Sequence, residues 1–176
     1  PGGRGELPFA DDTRGDLWRD KVWIAEDLTV RYPYLKSGFI GELFFRLAYL
    51  DGEVPPYAIP QVDPNRAVPD VLIATAASLT DKLWTSEAWI ATIERLRASG
   101  KTVGLIGAPP KAQSAHWHGA DAEAEYVQPG RAEDLRGAFA LPEVVGALGR
   151  AKLVLTLDNG ILHFAVAAGT PTFGLF

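Results

Sequence analysis

Residues 151–176 run AKLVLTLDNGILHFAVAAGTPTFGLF, and this stretch decides how the rest of the chain is read. The apolar run at 152–157 (K-L-V-L-T-L) has the length and residue types of a buried strand. It ends at the polar turn Asp158-Asn159-Gly160, and residues 161–168 then read as a helix. After Gly169-Thr170-Pro171 a further strand is expected over 171–176. Ligands of an open parallel sheet sit outside the carboxyl ends of its strands. The first N–H groups of the helix that follows are unpaired and partly positive, so an anion can dock there. Gly160 has no Cβ to hold a phosphate off the backbone, and His163 lies one turn into the helix. From spacing alone a second reading stays open, in which Asp158 only caps the helix and His163 is a surface residue.

Working outward, the same pattern recurs upstream. Residues 71–75 (V-L-I-A-T) form a short apolar strand, 103–106 a second, 125–127 a brief third, 152–157 a fourth and 171–176 a fifth. Between them helices are expected at 86–99, 110–118 and 141–150. The first has Thr85 or Ser86 as its cap, Trp89, Ile93 and Leu96 on one face, and Gly100 at its end. The last carries Pro142 in its first turn. Strands alternating with helices of this length mean an α/β fold with a Rossmann-like open parallel sheet.

The segment between the first strand and its helix, T-A-A-S-L-T-D-K-L-W-T-S over 75–86, places Ser78, Thr80 and Lys82 at the same edge of the sheet. A lysine ammonium is a compact charge suited to a diphosphate. The competing reading of Lys82 is a solvated loop lysine. Trp84 and Trp89 read as packing residues that anchor this loop, and the charged stretch 123–133 as solvent-facing. His116 and His118 flank Trp117, but without a third ligand they read as a polar surface loop, and no metal site is expected.

Upstream of the sheet, residues 38–50 (G-F-I-G-E-L-F-F-R-L-A-Y-L) have helical apolar spacing, stopped by Asp51-Gly52. The domain division expected is therefore 1–52 as an irregular segment with one helix, 53–69 as a linker holding five prolines, and 70–176 as the main domain. The chain starts at Pro1, contains no methionine, and stops inside an apolar run, so a fragment with an incomplete last domain is expected.

Bulk properties narrow the chemistry. Net charge is −5 with a pI near 5.2, and clustered basic residues are lacking, which argues against a nucleic-acid surface. There is no cysteine, so disulfide scaffolds and thiolate metal sites are excluded. No run approaches eighteen apolar residues, and a cytoplasmic protein is expected. No G-x-G-x-x-G follows the first strand and no G-x-S-x-G elbow is present, which disfavours an oxidoreductase or a hydrolase.

Taken together, residues 70–176 resemble the second domain of the family 9 glycosyltransferases, the ADP-heptose:lipopolysaccharide heptosyltransferases and their relatives. That family carries D-[ST]-G-x-x-H-x-A before a helix, G-T-P and an apolar strand. Here it stands as Asp158-Asn159-Gly160, His163 and Ala165, then Gly169-Thr170-Pro171. The family's D-K-x-W-P loop stands as Asp81-Lys82 and Trp84, with Trp89 in the helix that follows. The resemblance implies the C-terminal half of a GT-B fold and an inverting transfer of a heptose-like sugar to a glycan or lipopolysaccharide-core acceptor. It also implies that Asp158, Asn159, Gly160 and His163 hold the donor's diphosphate and sugar, and that Lys82 neutralises the leaving diphosphate. Ser78 would sit where a hydroxyl contacts a phosphate oxygen, Thr80 would belong to the donor site, and Gly107-Ala108-Pro109 would border the nucleoside. No cofactor is implied beyond the donor itself, ADP-heptose or another nucleotide-diphosphate sugar. The general base is expected in a preceding domain, with peripheral contact to the inner membrane there. Asn159 departs from the family's Ser/Thr, Thr85 from its Pro, and Pro109 lies where some members place an acidic residue on the ribose. These departures keep a rival open, a nucleotide-sugar-binding domain without catalysis.

Overall fold

The computed structural model describes residues 40–48, 50, 52–55 and 58–176. The expected irregular tail, with Trp18, Trp23, Tyr32 and Tyr34, lies outside these residues. The chain divides into two compact units, Pro1–Pro56 and Tyr57–Phe176. In the first, helix α1 (Ile40–Leu47) occupies the centre of the helical pattern expected at 38–50.

The second unit is a five-stranded parallel sheet among the described residues. β1 (Val71–Ala74), β2 (Val103–Leu105), β3 (Glu133–Asp134), β4 (Leu153–Leu157) and β5 (Thr172–Leu175) stand in the order β3-β2-β1-β4-β5. In register, Val71 faces Val103 on one side and Leu153 on the other, and Leu155 faces Phe173. The connecting helices are α2 (Ser86–Ala98), α3 (Pro110–His116), α4 (Glu123–Tyr126), α5 (Leu141–Arg150) and α6 (Gly160–Ala167). The α/β class and the open parallel sheet are as the sequence implies.

Both faces of the sheet are covered, which is why β1 reads as an unbroken apolar run. Successive side chains of a strand point to opposite faces. Val71 and Ile73 accordingly pack with Trp89, Ile93, Val103, Leu105 and Tyr126. Leu72 and Ala74 join Ile106, Leu135, Ala147, Leu148, Val154 and Ala165. Each fully buried aliphatic side chain contributes about 1.5–3 kcal/mol, so the two layers together hold the sheet. Thr85 caps α2, its side chain accepting from the Ala88 N–H at 3.3 Å. Trp89 is buried, and Trp84 meets it edge-on, ring centroids 5.2 Å apart.

The third strand departs from expectation. Residues 125–127 are not a strand, because Glu123–Tyr126 is a helical turn that buries both its ends. The strand is instead Glu133–Asp134, two residues whose side chains are exposed, paired to Gly104 and Leu105 by backbone alone. A two-residue polar strand has no side-chain periodicity to read. The charged stretch 123–133 is likewise not uniformly solvent-facing: Glu123 is fully buried.

The proline-rich stretch is also more than a spacer. From Gln61 onward it lies along α5, with the Val62 N–H donating to the Pro142 carbonyl at 3.1 Å. Arg150 pairs with Asp63 at 2.8 Å. The approach is so close that a Cβ on Gly146 would lie 1.9 Å from the Val62 carbonyl oxygen. At the amino edge of the sheet, the Asp70 carboxylate accepts from the Thr102 N–H and hydroxyl, both at 3.0 Å, and pairs with Lys152. It thereby ties the starts of three strands.

Two outcomes follow. Gly146→Ala should destabilise by about 1–3 kcal/mol in urea unfolding, because backbone must shift, although alanine is the better helix former. Lys152 and Thr102 hold the Asp70 carboxyl well below the ordinary carboxylate range. A depressed folded pKa gives stability present above the unfolded value and lost as pH falls through the folded one. Acid titration of Tm should therefore show a decline on acidification below roughly pH 4 that is shallower in Asp70→Asn.

Candidate functional site

Strand order reverses at β1: β2 lies on one side and β4, next but one in the chain order, on the other. The helices that follow β1 and β4, α2 and α6, pack on opposite faces of the sheet, and a crevice opens at the carboxyl edge there. A cavity of about 370 Å³ occupies it. Ala74 and Ala76 form its wall from β1, Ile106 to Pro109 from β2, Gly137 and Phe139 from beyond β3, and Asn159, Gly160, Ile161 and Phe164 from α6. The lining is mostly apolar, and among its side chains there is no carboxylate and no lysine or arginine.

The charged groups stand at its rim. Lys82, in the 3-10 turn Thr80–Lys82, reaches across to the loop after β4, and its Nζ lies 2.5 Å from Asp158 Oδ2. Both side chains are one-third exposed. The loops carrying the two sequence motifs, 76 residues apart at this contact, therefore meet at one sheet edge. Asn159, rather than Asp158, caps α6, its Oδ1 accepting from the Ile161 N–H at 2.9 Å. Gly160 is the first residue of that helix. A Cβ placed there meets nothing within 4 Å, and its φ is not positive, so neither packing nor backbone demands glycine.

Of the residues singled out from sequence, Gly107, Asn159 and Gly160 line the cavity, and Lys82 and Asp158 pair beside it. Ser78 and Thr80 are exposed on the loop that carries Lys82. His163 is exposed on the first turn of α6 and contributes nothing to the cavity wall. His116, Trp117 and His118 are exposed, and Trp117 is also among the residues lining the cavity. Among the described residues, no group of three metal-ligating side chains occurs. Nor is any helix long and apolar enough to cross a membrane.

Sequence reasoning missed the polar cluster that backs the cavity. Glu123, fully buried, accepts from the Thr75 hydroxyl at 2.8 Å and the Gln113 amide at 3.1 Å, and pairs with Arg136 at 3.2 Å. Arg136 also chelates Asp134, with bonds of 2.7 and 2.8 Å. The Gln113 Oε1 in turn accepts from the Ala108 N–H at 2.9 Å, and a Cβ on Gly107 would stand 2.6 Å from Gln113 Nε2. The loop 107–109 is thus pinned from behind by a buried ion pair. No periodicity announces this, since its members come from four separate segments.

Breaking such a buried pair leaves a charge uncompensated and typically costs about 3–5 kcal/mol. Arg136→Met should lose that much in urea unfolding. The Asp134 carboxyl is held below its ordinary value chiefly by Arg136, so its stabilisation too fades as pH falls. In Arg136→Met that part of the acid dependence should vanish, which an acid titration of Tm would read.

The sequence model of glycosyltransferase family 9 (heptosyltransferase) matches residues 55–176. No curated protein matches the chain. Several solved structures share its fold. The iron-containing dodecameric glycosyltransferase TibC from enterotoxigenic E. coli H10407 is 25% identical with a TM-score of 0.56, the match covering 80% of this chain and 35% of that one. TibC has also been solved with ADP-D-β-D-heptose. E. coli heptosyltransferase WaaC with ADP-2-deoxy-2-fluoro heptose is 24% identical with a TM-score of 0.51, covering 76% of this chain and 42% of that one. A family 9 glycosyl transferase from Veillonella parvula DSM 2008 is 16% identical with a TM-score of 0.50, covering 77% and 33%. The matches thus span about a third of the length of the TibC and Veillonella chains.

Proposed function

Because this chain belongs to glycosyltransferase family 9, we propose that its crevice binds a nucleotide-diphosphate sugar, as the donor side of an inverting sugar transfer. The observation that carries the reading is the meeting of Lys82 and the start of α6 at the mouth of an apolar cavity. The cavity is of ligand size, at the lower end of the usual range of about 300–1,000 Å³. Its apolar walls suit a nucleoside, whose base and ribose faces lose little on leaving water. The diphosphate then falls at the rim, against the Lys82 ammonium and the partly positive N-terminus of α6. The open space at Gly160, which the fold itself does not require, is room for a phosphate to reach the backbone.

Chemistry follows from charge. The acceptor hydroxyl oxygen attacks the anomeric carbon from the face opposite the diphosphate, and its proton passes to a general base. The bond from that carbon to the phosphate oxygen breaks, and its electron pair leaves with the diphosphate. Negative charge therefore grows where Lys82 and the α6 amides stand, and fixed charges there lower the barrier. In the free protein Lys82 is neutralised by Asp158, so the donor must draw it away. Asp158 and His163 are assigned to the diphosphate and sugar, with Asn159 holding the turn that presents them, and Ser78 and Thr80 to phosphate oxygens. The loop at Gly107 borders the nucleoside. No cavity-lining carboxylate offers a base, and we assign that role to a group outside the cavity. ADP-heptose is the donor favoured by the relatives' complexes, and a glycan or lipopolysaccharide-core saccharide the acceptor. Transfer from such a donor belongs on the cytoplasmic side of the inner membrane.

Calorimetry with ADP, ADP-heptose and a UDP-sugar tests the reading. ADP and ADP-heptose should bind, and Lys82→Met should weaken both by about tenfold or more. In a longer chain carrying these residues, the same substitution should lower turnover about 100- to 1000-fold. Absence of ADP binding would remove the donor assignment. Tight binding without turnover in the longer chain would favour a non-catalytic sugar-nucleotide module.

A further inference from the structure

Asn159 stands where the family's motif carries Ser or Thr, and three of its side chain's four hydrogen-bonding positions are taken by protein. Its Oδ1 accepts from the Ile161 N–H at 2.9 Å and from the Thr156 hydroxyl at 3.1 Å. Its Nδ2 donates to the Ala76 carbonyl at 2.9 Å, across 83 residues of sequence. The first two bonds fix the side chain on the β4–α6 turn. The third fastens that turn to the β1 loop, two residues ahead of Ser78 and six ahead of Lys82. A serine or threonine hydroxyl sits one atom closer to the backbone. It can cap α6, but it cannot also extend an N–H to Ala76. The backbone imposes no choice, since Asn159 lies at φ −149°, ψ −178°, an extended conformation open to any residue.

Two side-chain contacts therefore join the loops, the Lys82–Asp158 ion pair and the Asn159–Ala76 hydrogen bond. They differ in what a donor does to them. A diphosphate competes with Asp158 for Lys82, so the ion pair weakens as the site fills. The Asn159 amide has a protein partner at each end, and neither bond involves Lys82 or Asp158, so a diphosphate that displaces the ion pair leaves both in place. We propose that Asn159 is a positioning residue, an amide tie that holds the Lys82 loop in register with the α6 N-terminus once Lys82 has left Asp158 for the donor's diphosphate. This rests on the donor reading above. Without the tie, the two halves of the anion site are free to separate at the moment when both must face one pyrophosphate. The nucleoside cavity, walled also by the 106–109 loop and Phe139, does not depend on it in the same way.

Asn159→Thr in the 176-residue chain, probed with ADP and with adenosine, separates positioning from general packing. ADP affinity should fall roughly five- to tenfold, the scale of one net hydrogen bond, while adenosine affinity stays unchanged within about twofold. Amide exchange at Ala77 and Lys82 should quicken in the variant without ligand, because local opening becomes easier. If Asn159→Thr does not fold, Asn159→Ser serves the same comparison. Equal losses for ADP and adenosine would reduce Asn159 to a structural residue and overturn the proposal. So would unchanged ADP affinity with unchanged exchange. If the unaltered chain takes no ADP at all, the donor reading fails on its own, and the exchange rates still decide whether the tie holds the loop.

Discussion

Everything at the site depends on the reversal of strand order at β1. The chain adds β2 and β3 on one side of that strand and β4 and β5 on the other. The helices that follow β1 and β4 then pack on opposite faces of the sheet, and the space left at that edge is filled by neither. All five strands are parallel, so their carboxyl ends share one edge, with the helix N-termini following them there. The crevice is thus given the partly positive N-terminus of α6 by topology, before any particular side chain is considered. Lys82 and Asp158 become neighbours for the same reason, as the residues that leave adjacent strands in the same direction.

The walls of that crevice are stiffened by a polar cluster behind it that reaches the lining through Gln113. Glu123 and Arg136 form a buried pair whose remaining hydrogen-bonding capacity is taken up by Thr75, Gln113 and Asp134. Gln113 passes the constraint on to Ala108. A lone buried carboxylate would be strongly unfavourable, whereas one with three partners is tolerated and resists rearrangement. At the opposite edge, Asp70 performs a related role by joining the starts of β1, β2 and β4. The sheet is clamped at both ends, and the cavity-lining loops emerge from fixed points.

How much of this was legible in the residues varied with the kind of signal. V-L-I-A, L-V-L-T-L and the helix over 141–150 were readable because burial on both faces or on one stripe leaves a run or a period. Residues 133–134 were unreadable as a strand, since their side chains face water and only their backbone joins the sheet. Glu123 was misjudged for the converse reason. A glutamate among other charges looks solvated, and its burial is bearable through partners distant in the chain, Thr75, Gln113 and Arg136. Asp158 and Asn159 were both visible as turn residues, yet which of them capped the helix was not.

By itself the sequence determined the parallel α/β class, the two loops that carry Lys82 and Asp158-Asn159-Gly160, and the family to which those motifs belong. These are local properties: apolar runs, turn residues and the spacing between them. Only the tertiary structure decided that Lys82 is held by Asp158, that Asn159 reaches Ala76, and that Glu123 and Arg136 brace the cavity from behind. Each of these joins segments distant in the chain, and a contact across such a gap is set by the order in which strands pair. That order arises when the whole sheet packs, because no single strand or helix carries the hydrophobic faces of its neighbours.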